Sequence, residues 1–143
     1  MVTSTRDRVP MNTDACINAS IRRKTENNIA YFASGGSDAI TRRLAELDQE
    51  WDIERMLETN AATATLIGMT LGITVSKKWF VLPAAVAGFL LQHAVQGWCP
   101  PLPILRRVGF RTASEIDYER YALKALQSHG TAGPFLGNRL ADK

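Results

Sequence analysis

Residues 79–98 read WFVLPAAVAGFLLQHAVQGW, a stretch without Asp, Glu, Lys or Arg. At about 1.5 Å of rise per residue it matches the ~30 Å hydrocarbon core of a bilayer, so a membrane-spanning helix is expected here. Pro83 falls in the first turn, where a missing N–H costs little. Phe80, Val81, Leu82, Val86, Phe89, Leu90 and Leu91 each favour insertion by roughly 0.3–0.6 kcal/mol, together enough to offset Gln92, His93 and Gln96 near the far end. Trp79 and Trp98 bracket the run as interfacial aromatic residues do.

A second uncharged run lies just upstream. Ala61 to Ser76 would extend roughly 24 Å as a helix, slightly short of a full crossing unless Thr59 and Asn60 lengthen it. Leu66, Ile67, Met69, Leu71, Ile73 and Val75 favour lipid, but Thr63, Thr65, Thr70 and Thr74 dilute them. Only the residues around Lys77 and Lys78 separate the two runs, so the helices are expected to be antiparallel neighbours. Gly68-x-x-x-Gly72 and Ala84-x-x-x-Gly88 are spacings that let helix backbones approach, and are read as helix-packing residues. The alternative is a soluble bundle with both runs as its core. Two amphipathic flanking helices offer too few apolar faces to cover them. Arg42, Arg43 and Arg55 precede the first run and Arg106, Arg107 and Arg111 follow the second. That distribution puts both termini on the cytoplasmic side, with Lys77 and Lys78 snorkelling to the opposite headgroups.

Outward from the hairpin, Ile40, Leu44, Leu47 and Trp51 share a helical stripe that Ile53, Met56 and Leu57 extend, and Ser37 suits its N-cap. An amphipathic helix over 37–58 follows, its apolar face packed on protein or lying on lipid. Residues 1–36 mix Pro10, Asn, Ser, Thr and charges and end in Gly35-Gly36, which predicts a flexible arm with little to bury beyond Ile29 to Phe32. Pro100, Pro101 and Pro103 force a turn after the second run. Thr112-Ala113-Ser114-Glu115 is a capping-box pattern that opens a helix over 113–127, before a glycine-containing flexible tail over 128–143. The expected fold class is all-α: a membrane-embedded two-helix antiparallel hairpin over 59–112 between an amphipathic N-terminal helix and a short C-terminal one.

Several function classes find no support. The formal net charge is only +3 in 143 residues, with acidic residues scattered among the basic ones, so no nucleic-acid partner is expected. Cys16 and Cys99 match neither a disulfide framework nor a zinc signature. There is no glycine-rich phosphate loop, paired catalytic carboxylate motif or nucleophile elbow, and no metal or cofactor is expected. The triplet Asn18-Ala19-Ser20 lacks the secretory context of a glycosylation site. Two helices per chain enclose no transport pathway.

Chemistry, where it exists, is expected at the end of the second run. Cys99 sits in a proline-stiffened turn with Arg106 and Arg107 near enough in sequence to favour its thiolate. It is the candidate catalytic residue; filling the turn as a small apolar side chain is the competing role. His93, about one turn inside the end of the run, joins Gln92 and Gln96 in an expected interhelical hydrogen-bond network and would tune the thiol.

The stretch Gly97-Trp98-Cys99-Pro100 after two short apolar helices, followed by the hydrophobic-basic Leu102 to Val108 and then Gly109, resembles the YgaP-like inner-membrane domain, a two-helix bacterial family. The resemblance covers about Glu58 to Thr112. It implies a multi-pass protein of the bacterial inner membrane, with the bilayer as partner. In that family the hairpin sometimes follows a rhodanese domain, which implies that Cys99 receives sulfane sulfur. The sixty residues preceding this hairpin are too few for such a domain, so a sulfurtransferase partner would be a separate protein. Two functions are therefore expected to compete: a non-enzymatic anchoring or assembly module, homodimeric through its small-residue faces, and a thiol or sulfane-sulfur relay through Cys99.

Overall fold

The computed structural model describes residues 5–137, with side-chain environments from Arg8 to His129. All of the secondary structure among them is helical: α1 (Thr5–Met11), α2 (Ala15–Ser34), α3 (Gly36–Gln49), α4 (Ile53–Thr74), a 3-10 turn (Lys77–Phe80), α5 (Val81–Gln96), α6 (Leu102–Val108) and α7 (Ala113–Gly137). The chain divides into two units. One combines the described part of Met1–Ala19 with Trp51–Ser114; the other combines Ser20–Glu50 with the described part of Glu115–Lys143.

In the first unit, α4 and α5 pack side by side as a helical hairpin joined by the 3-10 turn. Its closeness rests on two glycines. A Cβ on Gly68 would lie 2.5 Å from Pro83 Cδ, and one on Gly72 would lie 2.8 Å from a Phe80 ring carbon, so a side chain at Gly68 would have to displace Pro83 of α5 and one at Gly72 the Phe80 ring. Ala84 and Gly88 behave differently from the expectation. Both are exposed, and a Cβ on Gly88 would meet nothing within 4 Å. The second small-residue motif therefore does not pack against the first.

The Lys77–Lys78 turn closes by backbone bonds from Val75 and Ser76 N–H to Leu71 O, at 2.9 and 3.1 Å. At the opposite end, Val9, Ile53, Leu57, Cys99 and Leu102 make a buried apolar cluster on which Leu105 and Phe110 pack. Here the N-terminal segment departs from the reading of a flexible arm, because α1 closes the end of α5. The Arg8 guanidinium donates to Val95 O and Ala94 O, and Asn12 Nδ2 donates to Gln96 O at 3.2 Å. These are carbonyls that a helix C-terminus leaves without intrahelical donors, and a cation there also suits the helix dipole. Gly97 makes the approach feasible. It has a φ of +73°, and a Cβ on it would fall 2.6 Å from Arg8 Cβ.

The second unit is built from the later part of α2, α3 and the part of α7 from Glu115 on. Ile40, Leu47, Ile116 and Leu123 form its core, with Ile29, Phe32 and Leu44 packed on it. Glu119 is fully buried, and Arg43 answers it through Nε to Oε1 at 2.8 Å and a second nitrogen to Oε2 at 3.4 Å. Burial works against the Arg43 charge, but its bonds to Glu119 and Glu46 outweigh that and raise its pKa. The guanidinium also lies 5.4 Å from the Phe32 ring centroid, within cation–π range. Arg120 adds a second link from α7 to α3, donating to Leu47 O at 3.2 Å and to Asp48 at 2.9 Å.

Two expected boundaries move. The amphipathic helix over 37–58 is two helices, broken where Glu50 turns extended at ψ 130°. Asp52 then caps α4 by accepting from Arg55 N at 2.7 Å. The apolar stripe runs on through this break because both helices use it, which is why periodicity alone merged them. The C-terminal helix opens at the expected place but runs to Gly137; residues 138–143 of the expected tail lie outside the described residues.

Candidate functional site

The hairpin end away from the lysine turn gathers most of the residues that could carry chemistry, and it keeps them apart in two places. The first is the thiol. Gly97 ends α5 in a left-handed cap, its N–H reaching His93 O at 2.7 Å. Pro101 then starts α6, so Cys99 is carried inward to the Val9–Leu102 cluster, where it is 3% exposed. It also borders an apolar hollow of about 170 Å³ together with Leu57, Ala61, Val86 and Phe89. Burial pushes the thiol pKa up, against the opposing effect of the Leu102 N–H.

This corrects the expected thiolate. Arg106 is nearly fully buried, and its guanidinium donates to Phe110 O at 3.1 Å and to Asn18 Oδ1 at 2.8 Å. Arg107 is exposed. Arg106 thus ties α6 to the start of α2. Asn18 in turn donates to Pro10 O at 2.8 Å. The sequence offers no cue to Asn18 as a partner for Arg106, since the two are 88 positions apart.

The second place is a hollow of about 340 Å³ beside His93, lined also by Glu54, Leu57, Glu58, Leu90 and Ala94. His93 is 8% exposed, and neither of its ring nitrogens has a hydrogen-bond partner among the described residues. Its charged neighbours are Glu54 on α4 and Arg8 on α1. The expected network with Gln92 and Gln96 takes another form, because Gln92 Nε2 donates to Gln96 Oε1 at 3.4 Å along the same helix. Residues 92 and 96 are one turn apart and share a side of α5 with each other, while His93 points to α4. Glu54 and Glu58 fall near the end of the helix expected over 37–58, and the sequence does not single out Glu58. Their spacing of four places both on one face of α4, a signal that becomes informative once His93 is known to oppose it.

Among the described residues no group of three or more His, Cys, Asp or Glu side chains is placed to hold a metal ion. Compared with known proteins, the chain matches no family model, no curated protein and no solved structure. One helical segment among the described residues, Lys77–Gln96, is long and apolar enough to cross a membrane, and almost none of its apolar stretch is buried. No second helix among the described residues reaches that standard, so two crossings are not carried by length and composition.

Proposed function

We propose that this chain is a non-enzymatic membrane anchoring or assembly module whose α4–α5 hairpin sits in the bilayer, as the resemblance to the YgaP-like inner-membrane domain implies. The observation that carries this reading is the exposed apolar surface of the hairpin. Leu66, Ile73, Val81, Leu91 and Val95 are each more than 60% exposed, and a soluble bundle would have buried them. Bare apolar surface on this scale marks a lipid or partner interface. Trp79 and Trp98 border it, as residues at a headgroup boundary do. α4 carries Glu54, Arg55 and Glu58 in its first turns, so its apolar part is short and either thins the bilayer locally or leans on α5.

The reading places the protein in the bacterial inner membrane with both termini cytoplasmic. The exposed face of Ala84 and Gly88 supports contact with a second copy of the chain. Sodium carbonate extraction of membranes holding the tagged protein tests the anchor. Retention in the pellet is expected, and release into the supernatant would overturn it. The sulfur relay has weaker support, because it needs an accessible thiolate and Cys99 is buried with its thiol pushed up.

A further inference from the structure

We propose that the outer face of α6 is a lipid-headgroup interface, where Ile104 and Val108 enter the acyl boundary and Arg107 holds an anionic phosphate group. The proposal rests on the anchor reading above. α6 is fixed on its inner side: Leu102 is buried in the cluster at the hairpin's end, Leu105 packs on that cluster, and Arg106 is bonded to Phe110 O and Asn18 Oδ1. The opposite side is bare. Ile104 is 64% and Val108 72% exposed; four positions apart, they are neighbours on one helix face, with the exposed Arg107, three positions after Ile104, beside them. A surface helix in water turns polar side chains to that side.

Continuity, charge and length choose a membrane surface as the occupant. Only residues 97–101 separate α5 from α6, and they include the exposed Trp98, so the apolar face of α6 carries on from the bare surface of the hairpin past an aromatic residue of the kind found at headgroups. Charge points the same way. From Thr59 to Ser114 the chain has no Asp or Glu, and Arg107 has neither a hydrogen bond nor an ion pair among the described residues. Its long stem can lie along the apolar face while the guanidinium reaches a phosphate, and the cytoplasmic leaflet, to which the anchor reading assigns this end, is negatively charged. With seven residues, α6 is about 10 Å long, far too short to cross a bilayer but suited to lying in its surface. A second copy seated on the same face would instead bring two Arg107 side chains together.

The test uses the full chain with Cys16→Ser and Cys99→Ala, spin-labelled at Val108→Cys or, on the exposed side of α5, at Leu91→Cys. It is reconstituted in vesicles of phosphatidylglycerol and phosphatidylethanolamine. The label at 108 should be relaxed more by oxygen than by a water-soluble nickel chelate, and should lie shallower than the label at 91. Nickel dominance at 108 with oxygen dominance at 91 would overturn the proposal and leave the anchor standing. Nickel dominance at both would remove the anchor, and the proposal with it. Protection of 108 from both relaxants would mean a protein contact there, a second copy included, and would also overturn it. Arg107 is tested with spin-labelled lipids. Phosphatidylglycerol should associate about threefold more strongly than phosphatidylcholine, and Arg107→Gln, a change at an exposed position, should cut that preference by about half while Arg107→Lys keeps it. An unchanged preference in Arg107→Gln would overturn the proposal.

Discussion

Cys99 shows how a residue's neighbours in sequence and in space can imply opposite chemistry. Arg106 and Arg107 argue for a thiolate along the chain; in the fold, the surrounding Val9, Ile53, Leu57 and Leu102 side chains argue for a neutral thiol. Alkylation of native protein at pH 8 should therefore be at least tenfold slower at Cys99 than at the exposed Cys16, and denaturant should equalise them; comparable native rates would contradict the burial. Because the folded-state pKa is raised, the neutral thiol contributes stability below the ordinary thiol range, and this is lost as pH rises toward the folded value. The Arg43–Glu119 pair is a second residue-scale test. Arg43→Ala should cost about 3–5 kcal/mol in denaturant unfolding, because it strands a fully buried carboxylate. The double change Arg43→Met with Glu119→Leu should cost much less. Neither member was legible as buried from sequence: Arg43 reads as one of the basic residues before the first run, and nothing singles out Glu119.

At the scale of elements, the α4–α5 hairpin was readable because charge-free runs and a short lysine turn leave few arrangements. The details were not. Gly68 and Gly72 touch α5 or the turn before it, while Ala84 and Gly88 look outward, and identical spacings cannot tell these faces apart. Gly72→Leu should accordingly force the hairpin apart at a cost of about 1–3 kcal/mol, seen as lost disulfide trapping between cysteines placed in α4 and α5. Gly88→Ala should leave that trapping unchanged. The helical arm was missed for another reason. α1 is held by Val9 and by bonds from Arg8 and Asn12 to carbonyls more than eighty positions away, and backbone acceptors carry no sequence signature. The break between α3 and α4 did leave one sign, an Asp three residues before Arg55, a spacing suited to an N-cap; Asp52→Ala should cost about 0.5–2 kcal/mol of α4 stability.

For the molecule as a whole, the account depends on what covers the apolar hairpin. Packing within the chain leaves it bare, with one helix qualified to cross a bilayer; a hairpin that inserts would place its lysine turn and its ends on opposite sides. The native Cys16 is exposed and reports the N-terminal side, and Ser76→Cys reports the turn, in a Cys99→Ala background. The decisive measurement is labelling of intact bacterial spheroplasts with a membrane-impermeant maleimide. Reaction at residue 76 before lysis, with Cys16 reacting only after it, is the result expected. Protection of both until lysis would contradict the membrane hairpin.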